Sequence, residues 1–257
     1  MAGELFGILF VIASTVFIFA VPAALTRPGW LKATGIKLMK RAIDIVGAIV
    51  GLAVFSPAWL VVPVLIKLDS NGPIFYTQTR VGVNRRKRDR RFLHKVESRE
   101  RRDTDRRRED YLGKPFRVIK FRTMVQDAEK LSGPVWATKD DQRITRIGKL
   151  LRKTRLDEVP QFFNILKGDM SLVGPRPERP SFVKDLSTQV NDYADRLAVK
   201  PGLTGLAQVE NGYDSSLESV YRKVRYDLQY IRQWTLWSDV KIIARTVVVV
   251  ITGKGAC

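Results

Sequence analysis

Histidine and cysteine are nearly absent from this chain. His94 is the only histidine and Cys257 the only cysteine among 257 residues. A single cysteine excludes an intrachain disulfide and a thiolate metal cluster. Cys257, at the end of the sequence, reads as inert. His94 stands in a charge-rich stretch and reads as a solvated loop residue, so neither a histidine base nor a histidine-ligated metal is expected. Any metal should then be a hard, oxygen-seeking ion such as Mg²⁺. Acidic residues are also scarce beside basic ones: 26 Asp and Glu face 45 Lys and Arg, a formal net charge of +19. That excess calls for an anionic partner, which means nucleic acid, an acidic membrane surface or a phosphorylated substrate.

Long apolar runs favour the last two. Residues 5–26 carry no charge. At helical rise they span about 30 Å, the thickness of a bilayer core. A secretory signal is the competing reading, but the only charge before the run is Glu4, not a basic segment. Arg27, Lys32, Lys37, Lys40 and Arg41 follow. Positive charge marks the cytoplasmic side, so the N-terminus should face out and the remainder in. A second apolar run, residues 42–66, is flanked by basic residues on both sides. A straight crossing would put the basic remainder outside. Ser56-Pro57 near its middle and Pro63 beyond it call for a sharp bend. A helix that enters, bends and leaves on the same face satisfies both arguments; a kinked spanning helix is the plainer alternative. Asp44, near the start of the run, reads as structural, with a Lys or Arg as partner.

The remainder reads as strands followed by helices. Residues 74–81 and 114–124 are short, strand-like and bounded by turn residues, and are expected to pair antiparallel. Between them, residues 85–110 hold 13 Lys and Arg and 7 Asp and Glu, with few apolar side chains. Such a block cannot offset ordering entropy by burial, so a solvated loop or frayed helix at the hairpin tip is expected. An anionic-lipid or nucleic-acid contact is the sharper reading of it. Helices are expected over 144–153, from Thr154 or Asp157 to 167, over 181–199, 217–237 and 240–251. The last two are amphipathic, and Trp234 and Trp237 suit either a headgroup layer or a buried core.

Residues 153–161, Lys-Thr-Arg-Leu-Asp-Glu-Val-Pro-Gln, place Asp157 and Glu158 together inside a basic run. The plain reading is a capping box led by Thr154. Arg143, Arg146, Lys149, Arg152, Lys153 and Arg155 crowd the same segment, and Gly174-Pro175-Arg176-Pro177 projects a further guanidinium from a stiff turn. Neighbouring cations are expected to keep the carboxylates ionised. An ionised carboxylate can attack phosphorus without a base, provided cations neutralise the combined charge. The product would be an acyl phosphate able to pass its phosphoryl group on.

From residue 39 to 256 the chain resembles the bacterial sugar transferases, the monotopic polyprenyl-phosphate phosphoglycosyl transferases. The resemblance is carried by Lys40-Arg41-x-x-Asp44, Ser56-Pro57, Lys120-Phe121-Arg122-Thr123-Met124, Leu156-Asp157-Glu158-x-Pro160-Gln161, Asn164-x-Leu166-Lys167-Gly168-Asp169 running on to Gly174-Pro175-Arg176-Pro177, and Lys200-Pro201-Gly202-Leu203-Thr204-Gly205. It implies a mainly α fold with a small antiparallel β-hairpin (α+β). It also implies a re-entrant helix broken at Ser56 and Pro57, and amphipathic interfacial helices. With the N-terminal transmembrane helix and linker at 1–38, the catalytic unit would occupy 39–257, at the cytoplasmic face of a bacterial inner membrane. The implied reaction moves a sugar 1-phosphate from a UDP-sugar to polyprenyl (undecaprenyl) phosphate and releases UMP, starting exopolysaccharide, capsule or O-antigen assembly. Asp157 would form the covalent phosphosugar intermediate and Glu158 would help hold Mg²⁺. Arg176 would contact nucleotide phosphate, Lys120 and Arg122 would line the site, and Arg152 would orient the dyad. Arg143 is a further substrate-binding candidate. Membrane lipid is an expected partner, nucleic acid is not, and the resemblance leaves room for a homo-oligomer and for downstream glycosyltransferases. Gln161 and Asn164 lean toward polar packing roles. Two features depart from the pattern: the long hairpin tip and the added N-terminal span.

Two other classes compete. A membrane-tethered nucleic-acid binder would explain the charge but gives no role to paired carboxylates. A lipid-phosphate hydrolase would use the same aspartate and metal with water as acceptor. The choice among UDP-sugars rests on pocket contacts that spacing does not reveal.

Overall fold

Pro57 has no backbone N–H, so the helical hydrogen-bond ladder cannot run unbroken through it. The first helix, α1 (Trp30–Val54), accordingly ends at Phe55, and α2 (Ser56–Asp69) starts with Pro57 in its first turn. The two helices meet at a bend of 58°. The break strands little of the backbone: Phe55 N–H donates to the Gly51 carbonyl at 2.9 Å, and Ala58 N–H to the Phe55 carbonyl at 3.0 Å. Pro63 sits inside α2 without ending it. This computed structural model describes residues 30–84, 112–128, 141–210 and 217–252. The expected span at 5–26 and the charged stretch at 85–110, with His94, lie outside the described residues, as does Cys257. Among the described residues no single helix is long and apolar enough to cross a membrane; the bent pair has the length and composition to do so.

Beyond α2 the chain is mostly helical with one small antiparallel sheet. β1 (Phe75–Val81) pairs with β2 (Pro115–Phe121), from Phe75 opposite Phe121 to Val81 opposite Pro115. The second strand stops three residues short of the expected Met124. There Arg122 turns in to donate to the Ser70 and Asn71 carbonyls at 2.7 and 2.5 Å. The outer edge of β2 is closed by a side chain from α4 (Gln161–Lys167). Asn164 Nδ2 donates to the Arg117 carbonyl at 2.7 Å, and its Oδ1 accepts from Ile119 N–H at 3.1 Å. A strand edge left without partners would be exposed to mispairing or to a desolvation penalty.

Between the hairpin and α4 lies α3 (Arg146–Lys153), capped at its start by Thr145, which accepts from Gly148 N–H at 3.0 Å. Here the structure corrects the capping-box reading. Thr154 ends α3 and does not begin the next helix; its hydroxyl donates to the Leu150 carbonyl at 2.9 Å. A threonine hydroxyl donates to a preceding carbonyl as readily as it accepts at a cap. Arg155 then adopts a left-handed φ of 59°, and Leu156–Glu158 form one 3₁₀ turn. Gly168, at φ 90°, terminates α4 as the composition predicts.

A second, parallel pair was not anticipated: β3 (Ser171–Val173) beside β4 (Gly202–Thr204). Three residues are too few to show alternation. The helix expected over 181–199 is α5 (Pro180–Gln189) followed by a 3₁₀ segment (Tyr193–Ala198), divided by Asp192 at a left-handed φ of 60°. After the short α6 (Leu206–Glu210), α7 (Leu217–Arg232) ends five residues earlier than expected and α8 (Leu236–Thr252) starts four earlier. Thr235 and Ser238 explain the division, since each side chain accepts from the other's backbone N–H, at 3.0 and 3.1 Å.

The bent pair is built into the body. Ala48, Ala58, Val62 and Ile66 share one buried cluster with Phe116, Val118, Phe121, Phe162 and Ile165. Gly51 lets α1 lie on Phe162, for a Cβ there would stand 2.4 Å from the ring. Polar ties reinforce the seat. Arg41 donates to the Ile165 and Leu166 carbonyls at 2.6 and 2.7 Å. Lys40 pairs with Asp239 at 2.6 Å, and Asp239 also accepts from Tyr230 and Trp234. Asp44 accepts from Ser171 Oγ and Leu172 N–H at 2.8 and 2.9 Å, so its partner is strand β3 and not the expected Lys or Arg. The opposite face of the pair leaves Leu60, Val61, Val64 and Leu68 exposed.

Replacing Asn164 by Ala should leave the Arg117 carbonyl and Ile119 N–H without partners and cost about 2–4 kcal/mol. Chemical denaturation in detergent should show it as a lower midpoint.

Candidate active site

Three separate elements bring charge to one point. The 3₁₀ turn after α3 presents Asp157 and Glu158, β2 presents Lys120 near its end, and the Gly174–Pro177 loop after β3 presents Arg176. Lys120 Nζ lies 2.8 Å from Glu158 Oε1 and 3.5 Å from Asp157 Oδ2. Arg176 Nη2 lies 2.7 Å from the same Glu158 oxygen, and its Nη1 3.5 Å from the other. Both carboxylates are buried, at 6% and 7% exposure.

Burial treats the two acids differently. It raises the Asp157 carboxyl above the ordinary aspartate range; Lys120 opposes this and the Glu158 charge adds to it. The expectation that neighbouring cations hold both acids down is therefore corrected at Asp157, where desolvation wins. Burial also pushes Glu158 upward, but Arg176 and Lys120 outweigh it and hold Glu158 well below the usual range. One turn thus carries a firmly ionised carboxylate next to one whose charge is costly.

Arg176 is held from behind by residues that spacing alone did not single out. Arg196, buried at 4% exposure, donates from Nη2 to the Arg176 carbonyl at 3.2 Å and pairs through Nε with Asp227 at 2.7 Å. Glu178 accepts from Lys223 at 2.6 Å and pairs with Arg80 at 3.5 Å. Burial would raise Glu178, yet Lys223 and Arg80 hold it at about 2. Asp227 stands 31 residues from Arg196 and Lys223 stands 45 from Glu178, so no local pattern announces either pair.

The other sequence candidates divide. Arg152 lies close enough to lower Asp157 electrostatically, and its Nη1 is shielded from solvent with no hydrogen-bond partner among the described residues. Arg143 bonds Asp141 through Nε and Nη2 at 2.8 and 2.5 Å. Arg122 bonds the main chain of Ser70 and Asn71. Its guanidinium closes the C-terminal end of α2 on Ser70 and Asn71, because the left-handed Gly72 leaves no Cβ in its way. Asn164 braces β2, while Gln161 Nε2 is buried without a partner among the described residues.

Beside the dyad a cavity of about 410 Å³ separates α1 from α8. Val50 and Val54 form one wall, Val240, Ile243 and Ala244 the other, and Phe162 and Leu172 lie between them. Thr154, Arg155 and Glu158 also line it. Its threonines make few demands, because Thr204 and Thr246 share a hydroxyl–hydroxyl bond of 2.7 Å.

A family model described as bacterial sugar transferase matches residues 36–92 and 91–253. The chain belongs to the bacterial sugar transferase family. It is 40% identical over 218 residues to a UDP-N-acetylgalactosamine-undecaprenyl-phosphate N-acetylgalactosaminephosphotransferase of Aeromonas hydrophila, covering 85% of this chain and 45% of that protein. It is 36% identical over 233 residues to a UDP-glucose:undecaprenyl-phosphate glucose-1-phosphate transferase of Caulobacter vibrioides, covering 90% and 76%. It is 38% identical over 214 residues to an Escherichia coli protein of that same name, covering 82% and 40%. This bacterial sugar transferase therefore spans less than half the length of the Aeromonas and Escherichia proteins.

The opposite shifts of the two acids predict opposite stability effects. Glu158→Ala should cost about 3 kcal/mol, the low end for breaking a buried ion pair, because Lys120 and Arg176 still reach solvent. A depressed acid stabilises above its unfolded value, so the deficit of Glu158→Gln should be full at neutral pH and shrink as pH falls below about 4.5. Asp157 is raised in the fold by burial, so its charge opposes folding. Asp157→Asn should be as stable as the parent or more so at pH 7, with the gain fading toward acid pH. Thermal melts across pH would check both signs.

Proposed function

We propose that this protein transfers a sugar 1-phosphate from a UDP-sugar to undecaprenyl phosphate through an intermediate covalently bound to Asp157. The observation that carries the reading is the buried Asp157 carboxylate, set beside Glu158 within 3.5 Å of Lys120 and within the field of Arg176 and Arg152. A costly buried anion held among cations is a nucleophile arranged for an anionic electrophile. The names of the relatives, which pair UDP-sugars with undecaprenyl phosphate, support the same choice of donor and acceptor.

In the first step an Asp157 oxygen bonds to the phosphorus that bears the sugar. The bond from that phosphorus to the bridging oxygen breaks, and its electron pair leaves with UMP. In the second step an oxygen of undecaprenyl phosphate attacks the same phosphorus, and the electron pair returns to the Asp157 carboxylate. Neither nucleophile needs a proton removed, which suits a site without histidine among its residues. Arg176, tied by Arg196 and anchored on Glu158, meets the leaving phosphate. Arg152 contributes its buried Nη1, unpartnered among the described residues, as a donor for a phosphate oxygen.

Mg²⁺ fits this donor set. Among the described residues no three His, Cys, Asp or Glu side chains converge, but Mg²⁺ commonly takes one or two carboxylates and completes its shell with phosphates and water. Glu158 and Asp157 would hold it, and when bound it would supply neutralisation of the diphosphate charge. Lys120 keeps the two carboxylates together until substrate arrives.

The bent α1–α2 pair would dip into the cytoplasmic leaflet of a bacterial inner membrane and return, with its exposed leucines and valines in lipid. The catalytic unit would run from about residue 39, with residues 1–38 as an added membrane anchor. Contiguous exposed apolar surface of this kind is otherwise costly in water. The product would be the lipid-linked first sugar of an exopolysaccharide or related glycan.

UMP release should be measured with a panel of UDP-sugars, undecaprenyl phosphate and Mg²⁺. The parent should release UMP and form a glycolipid diphosphate; Asp157→Asn should do neither while remaining folded. An intact-mass increment of one phosphosugar on the parent, absent from the variant, identifies the intermediate. Full activity in Asp157→Asn would refute the covalent route, and inorganic phosphate as product would point to hydrolysis. The acid limb of the UMP burst should lie above the ordinary aspartate range, and Lys120→Met should move it higher still, since Lys120 lowers Asp157.

A further inference from the structure

We propose that the trough between α1 and α8 seats the hydrocarbon chain of the lipid acceptor, with the acceptor's phosphate at the Glu158 end. This rests on the phosphosugar-transfer reading and adds where the acceptor lies. An acceptor made of a phosphate on a long apolar chain must satisfy two surroundings at once. Its phosphate has to reach phosphorus on Asp157, and its first carbons have to leave the polar site through something apolar.

The trough meets both needs. Its volume, about 410 Å³, falls within the range of ligand-binding clefts. Its walls are Val50 and Val54 on one side and Val240 and Ile243 on the other, and the charged residues that line it are Arg155 and Glu158. Most polar side chains in the wall bond each other or the backbone, and Gln208 Oε1 is buried with no partner among the described residues. Thr204 bonds Thr246, and Gln208 Nε2 donates to the Leu203 carbonyl at 3.3 Å. Away from Gln208 and the Arg155–Glu158 end, such a wall offers dispersion contact and little to a hydrogen-bonding ligand. Val46, at the edge of the trough, and Val248, next to its wall on α8, are exposed. A chain longer than the trough therefore runs on along apolar surface instead of into water. Gly47 and Gly51 set its depth: a Cβ on either would strike Leu172 or Phe162 at 2.4 Å and push α1 outward.

Phospholipid acyl chains are the competing occupant, and they differ in one respect. They have no need of the Glu158 end, whereas the acceptor's phosphate must stop there. A diazirine-bearing undecaprenyl phosphate, with the label near its second isoprene unit, distinguishes the two. Added to the full chain in lipid nanodiscs, it should label residues of α1 and α8 on photolysis. Unlabelled undecaprenyl phosphate should suppress that labelling, and the same amount of phosphatidylglycerol should not. Labelling on other elements, or equal suppression by phosphatidylglycerol, would overturn the proposal.

Val50→Trp and Ala244→Trp narrow the trough from opposite sides. Losing a few buried methylenes is worth roughly tenfold or more in acceptor KM. The change should appear in the second half-reaction, measured apart from the acceptor-independent burst of UMP. Leu60→Trp, on the exposed face of α2, should leave acceptor KM as in the parent. An unchanged KM in both trough variants would also overturn the assignment. Failure of the transfer reading looks different: the parent would release no UMP from any UDP-sugar, and the photolabelling would still report on the trough.

Discussion

Two adjacent carboxylates buried at one turn are the constraint on which the site depends. Left alone, each would be driven to its neutral form by desolvation, and each would repel the other's charge. The fold answers with Lys120 from a strand and Arg176 from a loop, both converging on Glu158. Glu158 is thereby committed to charge. Asp157, next to it, receives the weaker share of that compensation, at 3.5 Å from Lys120. The asymmetry gives two residues of similar chemistry different electrostatic roles, a division that paired acids in enzymes commonly show.

Holding those cations in place takes much of the remaining structure. Arg176 is useful only if its loop is stiff, and the stiffness comes from Pro175 and Pro177 together with Arg196 behind the loop. Arg196 in turn needs Asp227 on α7, and Glu178 needs Lys223 one turn earlier on that helix. Lys120 is placed by β2, whose outer edge is fastened by Asn164 of α4. The 3₁₀ turn that carries the dyad lies between α3 and α4, so the packing of both helices sets its position.

The bent helix pair belongs to the same arrangement. Arg41 caps the carbonyl end of α4, Asp44 closes the edge of β3, and Ile66 is buried against the hairpin core. An element that shares a core with the turn carrying the dyad holds a fixed position relative to it. In the proposed transfer a lipid-borne acceptor and a soluble donor would meet at one carboxylate without a docking motion, and the cavity beside Glu158 opens in the angle this construction leaves between α1 and α8.

Much of the local chemistry was legible in the chain. Proline at 57 forces a bend because it lacks a donor, and Gly168 ends a helix because it tolerates a left-handed φ. These depend on neighbouring residues, and sequence displays neighbours. Other features were decided only when the chain closed on itself. Arg122 sits two residues after Lys120 yet turns to the end of α2. Thr154 looks like a cap for the following turn yet closes the preceding one. Asp157 stands among cations yet burial raises its carboxyl. The partners of Arg196, Glu178 and Asp44 lie 31, 45 and more than 100 residues away. Which charges compensate one another, and how much water each retains, are properties of packing in three dimensions, where distance along the chain carries no weight.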